Sequence, residues 1–280
     1  TSLERGVSWL VTPCGDKFYS VGINVVDGGE YSSSIDDSKP GTPDRFAGGA
    51  KRYVWTAFHR SLADWADEAR GRMDDWGFNT AGAWSLPPRI LKRPTIIDLE
   101  VGRASKFHWF DPFDPATEAA MREKMRELVA PYRNDPLRIG YFSDNEVGWL
   151  GGVLCAYYSW QPPGSQTKQR WVASLIDGYG GDWTRFTAEF AVPDGVGTWA
   201  DLLKSERQIK LRPGGAGIRM VERWTELVAS RYYEMTARVL READPGALFF
   251  GDRLPIYYDP AAVRGMAPKL ASLPTWWLPP

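Results

Sequence analysis

Short apolar runs alternate along this chain with long amphipathic stretches, and that alternation limits how its strands can pair. Strands joined by a helix-length crossover lie parallel, whereas antiparallel neighbours need only a tight loop. The runs fall at residues 18–24, 77–82, 95–99, 137–143 and 247–251. Residues 60–76 carry Leu62, Trp65, Ala66, Ala69 and Met73 at helical spacing. Residues 115–132 predict a second helix with Pro115 at its first turn. Residues 217–243 predict a long third, closed by Asp244-Pro245-Gly246. A short helix from Pro260 stops at Pro268.

The section from the fourth run to about Pro213 is rich in Trp and Gly and weakly periodic. It predicts irregular structure and short helices inserted after the fourth strand. The Gly/Ser/Asp-rich stretch at residues 27–49 predicts an active-site loop, being too long for a tight turn. The whole predicts an α/β protein with a parallel sheet, folded as one domain over residues 1–280. A doubly wound sheet and a (β/α) barrel share this local signature. No GxGxxG or GxxxxGK[ST] is present, so a nucleotide cofactor gives no reason to prefer the former.

Composition narrows the partners. With 43% hydrophobic and 25% charged residues the chain reads as an ordinary globular protein. Its net charge of −1 gives no reason to expect nucleic acid or a membrane surface as a partner. Cys14 and Cys155 cannot make a disulfide framework. Two histidines, His59 and His108, are too few for a His-rich metal site, and no metal or other cofactor is expected. No apolar run is long enough for a membrane-spanning helix. The first residues show no signal peptide, which leaves cytoplasmic and secreted locations both open. The 14 Trp residues offer flat apolar faces on which sugar rings can stack, with core packing as the alternative use.

In a (β/α) barrel the C-terminal strand ends face the active site. Polar residues cluster at such ends here: Asn24 and Asp27, Asn79 with Trp84, Glu100 and Arg103, Asp144-Asn145-Glu146, and Asp252-Arg253. Trp84, Trp109, Trp149 and Trp160 are candidate sugar-stacking faces, and His108 a candidate partner for a sugar hydroxyl.

Asn145-Glu146 at the end of a fourth strand resembles the acid/base motif of glycoside hydrolase clan A. Tyr19-Ser20-Val21-Gly22-Ile23-Asn24 and Trp76-Gly77-Phe78-Asn79-Thr80 resemble the first two strands of those enzymes. Asp144-Asn145-Glu146 with Gly148-Trp149, and Ala243-Asp244-Pro245 leading into Leu248 to Arg253, resemble the β-agarase and β-galactosidase branches, families 50 and 42. The resemblance covers roughly residues 16–265. It implies a partial TIM-type barrel of about five βα units, and an enzyme cleaving a β-galactoside or related β-glycan. Retaining enzymes of this kind use two carboxyl groups about 5–5.5 Å apart. The resemblance gives Glu146 the acid/base role, with its acidity set by burial and a nearby second carboxylate. It gives Asn145 a hydrogen bond to the sugar 2-hydroxyl.

The clan's nucleophile closes a seventh strand, and no residue here matches it. Pro268, Pro274, Pro279 and Pro280 fit poorly with a sixth central strand. Glu100 is the first candidate for a second carboxylate, with Asp252 and Glu189 behind it. Asn24, Asn79, Trp84, His108, Trp149, Asp252 and Arg253 are the expected substrate contacts. A barrel left open would expose sheet edges, so a homo-oligomer is expected. The alternative is a non-catalytic carbohydrate-binding relative or an inactive fragment lacking the nucleophile.

Overall fold

A computed structural model describes residues 2–4, 7–29, 55, 58–104, 111–254 and 259–270. The chain divides into two compact units, Thr1–Leu99 with Pro131–Phe142, and Glu100–Ala130 with Ser143–Pro280.

The first unit opens with an antiparallel meander, β1 (Ser2–Glu4), β2 (Val7–Val11) and β3 (Lys17–Phe18). The sequence ran one strand from residue 18 to 24. The structure splits it, because Lys17–Phe18 folds back onto Leu10–Val11 across a tight turn. Gly15, at φ 92°, takes the left-handed conformation which that turn needs. The parallel strand that remains is β4, Gly22–Ile23.

Helix α1 (Leu62–Asp75) begins where Ser61 Oγ accepts the Asp64 N–H at 3.1 Å. It ends at Trp76, and Gly77 follows at φ 77°. That ending takes residues 77–79 out of the expected second strand, which shortens to β5, Thr80–Ala81. Then come α2 (Pro88–Leu91), β6 (Thr95–Asp98) and β7 (Arg138–Phe142). Strands β4 to β7 pair in parallel in chain order, with Gly22 opposite Thr80, Ala81 opposite Thr95 and Ile97 opposite Tyr141. The apolar stripe of α1, Trp65, Ala66, Ala69 and Met73, is buried with Ala81, Leu86 and Leu91. Removing a side chain such as Met73 from water contributes about 1.5–3 kcal/mol.

The second unit holds α3 (Val101–Ala104), α4 (Pro115–Val129) and β8 (Asp144–Asn145). The inserted section is more helical than its weak periodicity predicts. It forms α5 (Gly151–Ser159), α6 (Gln166–Gly178), α7 (Trp183–Glu189), β9 (Phe190–Ala191), α8 (Trp199–Lys204) and β10 (Lys210–Leu211). Caps set these short helices: Ser165 accepts from Lys168 N, Asp182 from Thr184 N and Arg185 N, and Thr198 from Asp201 N. Lys168 ties the section together, its ammonium donating to the carbonyls of Gln161 and Ser205.

Helix α9 (Ile218–Ala243) is the spine of this unit. Trp224, fully buried, lies 4.9 Å from Trp171 and 5.8 Å from Tyr158, ring centre to ring centre. Glu118 of α4 is ion-paired with Arg231 and Arg238 of α9. Burial pushes the Glu118 carboxyl up, but Arg238 and Arg231 hold it below the usual carboxylate range. Strands β11 (Leu248–Phe249) and β12 (Asp252–Arg253) follow, then α10 (Pro260–Met266). Helix α10 reaches α9 through Gly265, where a Cβ would meet Glu226 O at 2.6 Å. Strands β8 and β12 pair in parallel, Asp144 opposite Asp252 and Asn145 opposite Arg253.

Among the described residues no helix is long and apolar enough to cross a membrane. No group of three or more His, Cys, Asp or Glu among them could hold a metal ion.

Candidate active site

Four of the non-glycine residues with positive φ sit just past strand C-termini: Val25 (61°), Trp84 (56°), Glu100 (48°) and Glu146 (55°). Such backbone costs on the order of 1–3 kcal/mol per residue and persists where surrounding contacts over-determine it. The contacts at Glu146 are explicit. Its N–H donates to Arg253 O at 2.9 Å. Arg253 Nη1 donates to Asn145 Oδ1 at 2.8 Å. The next residue, Val147, donates its N–H to Asp252 Oδ2 at 3.2 Å. Glu146 is therefore held on both sides while its own side chain is exposed. The burial expected for Glu146 falls on its neighbour Asp144, which is 2% exposed.

Asp144 is fixed from two elements. Tyr232 of α9 donates its hydroxyl to Asp144 Oδ2 at 2.5 Å, and Gly102 of α3 donates its N–H to Oδ1. Burial, and then the charge of Asp252, push the Asp144 carboxyl well above the usual carboxylate range. Burial also raises the Tyr232 and Tyr233 phenols, with Asp144 and Asp252 respectively adding to it. Glu100 is half-buried and lies two residues before Gly102. A Cβ at Gly102 would stand 2.6 Å from Tyr232 Oη and 2.7 Å from Asp144 Oδ1. Gly102→Ala is therefore expected to cost about 1–3 kcal/mol by overpacking. Urea denaturation checks it; an unchanged midpoint would show that the contact relaxes freely.

Several sequence-derived contacts take other places. Trp149 is 4% exposed, donates Nε1 to Tyr233 Oη at 2.8 Å and packs on Tyr232 and Tyr233. Its ring faces protein, not an open sugar site. Asp252 is buried and accepts from Val147 N and the Tyr233 hydroxyl, so it supports the strand end from beneath. Arg253 spends a guanidinium hydrogen bond on Asn145. Asn79 stands just before β5, at the N-terminal end of that strand. It bonds the Tyr19 carbonyl and the Val21 N–H at 2.8 and 2.9 Å. Asn24 is exposed, and a Cβ at Gly82 would collide with its Oδ1. Trp84 is half-buried at its strained position. Trp160 is 41% exposed. Glu189, the last residue of α7, accepts the Tyr179 hydroxyl at 2.5 Å. His108 and Trp109 lie outside the described residues. Tyr232 and Tyr233 were missed by the sequence reading. Their signal was present as adjacent tyrosines on the buried stripe of a long helix, where a hydroxyl needs a partner.

Comparison with known proteins gives this arrangement a setting. The agarase AgWH50C has a structure that matches 96% of this chain with a TM-score of 0.72 at 19% identity. The chain shares the fold of that part of the solved agarase. A structure described as an exo-β-agarase matches 93% of it with a TM-score of 0.67 at 17% identity. The curated β-agarase B of Vibrio sp. (strain JT0107) is 23% identical over 229 residues, 74% of this chain. No family model matches. The chain spans 47% and 46% of the two solved agarases and 23% of the Vibrio enzyme. These relatives are agarases, one of the two branches that Asp144-Asn145-Glu146 with Gly148-Trp149 resembles.

Proposed function

We propose that this chain carries the acid/base side of a glycoside hydrolase site acting on a β-linked galactan of the agarose type, within a (β/α)-barrel. The observation that carries this is Glu146 itself. It is an exposed carboxylate on left-handed backbone, held through Arg253 O before it and Asp252 after it. A group positioned that firmly, with its side chain open to solvent, suits proton transfer to a leaving oxygen. Glu100 is the second carboxylate in this reading, also on left-handed backbone past a strand end. Asn145, oriented by Arg253, takes the sugar 2-hydroxyl.

A second reading, sugar binding without turnover, draws on one fact: the chain spans less than half of the solved agarases. Incubation with agarose oligosaccharides decides between them. Release of new reducing ends is the expected result. Calorimetric binding with no release would establish the second reading, and neither binding nor release would sink both.

A further inference from the structure

We propose that Asp144 and Asp252 form a carboxyl pair sharing one proton, and that this pair positions the two turns carrying Glu100 and Glu146. The two residues are register partners on adjacent parallel strands, β8 and β12. Such strands run about 4.8 Å apart and direct register partners to the same side. Both residues are almost fully buried, at 2% and 4% exposure. Two like charges so close and so dry do not both ionise; one proton stays between them, and it belongs to the pair.

The groups facing the pair fit that state. Tyr232 and Tyr233 come from α9, the Gly102 N–H from α3, and the Val147 N–H from the turn after Glu146. Ser143 lies beside Asp144, its hydroxyl donating to Gly251 O at 3.1 Å. Arg253, next to Asp252 in the chain, turns a guanidinium nitrogen to Asn145. Behind Tyr233 stands Trp149, whose indole N–H donates to the phenol oxygen at 2.8 Å.

What the pair grips explains why it is there. Asp144 takes the N–H of Gly102, two residues past Glu100. Asp252 takes the N–H of Val147, one residue past Glu146. Each strained carboxylate-bearing turn is thus anchored to one member of the pair, and the proton between the members keeps them side by side. Losing that proton would set the two anchors against each other and loosen both turns together. The positioning role rests on the glycosidase reading of Glu146; the shared proton does not.

The test uses the whole chain and its Asp144→Asn variant, an uncharged near-isostere of the protonated acid. Infrared difference spectra at pH 7 are expected to show a neutral carboxylic acid band in the parent that disappears in the variant. No such band would overturn the pair, whatever the protein does to sugars. The second readout is the pH profile of oligosaccharide cleavage. The variant cannot lose the proton, so its alkaline limb is expected to move to higher pH than the parent's. Superimposable profiles would overturn the positioning role while leaving the shared proton standing. Absence of any cleavage by the parent would count against the glycosidase reading and the role built on it, with the infrared band still deciding the pair.

Discussion

Glu146→Gln is expected to lower the cleavage of agarose oligosaccharides by about 10²–10⁴-fold, the range a positioned general acid/base supplies. Gln keeps the shape of Glu and the backbone contacts to Arg253 and Asp252, which involve the main chain of residues 146 and 147. Folding should therefore be unchanged, and the loss should fall on kcat/KM. The chemistry gives a sharper check than the loss alone. A sugar leaving group needs a proton as the bond breaks, whereas a nitrophenolate hardly does. The variant should lose far less of its first step on nitrophenyl glycosides than on oligosaccharides. Its second step, in which the same residue would activate water, stays slow. Added azide needs no base and should restore turnover of the nitrophenyl substrate. Equal losses on both substrates with no azide rescue would show that Glu146 is a binding or structural residue.

Trp224→Ala is expected to cost about 3–5 kcal/mol of stability. Trp224 has no exposed surface and sits among Phe113, Tyr158 and Trp171 at centroid distances of 6.3, 5.8 and 4.9 Å. It joins α9 to α5 and α6, so truncation opens a cavity at the junction of three helices, which rigid neighbours fill only in part. For a chain of this size the loss corresponds to a fall in Tm of roughly 6–20 °C. Trp76→Ala is the control. Trp76 is 64% exposed at the end of α1, and its removal should change stability by less than about 0.5 kcal/mol. Urea melts of the two variants beside the parent measure both. Similar midpoints would mean that the buried cluster can collapse around the missing ring.

The two Trp residues mark where the sequence was legible and where it was not. Periodicity is local, so α1, α4 and α9 lie within a few residues of where their apolar spacing puts them, and α4 and α10 begin at the Pro residues expected to start them. The short insert helices were not legible by period, because a helix of two turns shows little periodicity; their caps were the readable signal. Strand lengths were overestimated. An apolar residue at a strand border reads the same whether it continues the strand, as Ile97 does, or closes a helix, as Phe78 does after α1.

The alternation of strands and helices, and the place of Asn145 and Glu146 at a strand's end, were legible in the chain alone. Both follow from the order of residue types over a few turns of chain. Which polar strand-end residues face solvent is set by packing between distant elements. Asp252 and Trp149 share the local signature of Glu146 and Trp84, yet both are buried. Their fate depends on β12 lying beside β8 and on α9 bringing Tyr232 and Tyr233 behind them. Burial is set by neighbours distant in the chain, and a local pattern carries no record of them.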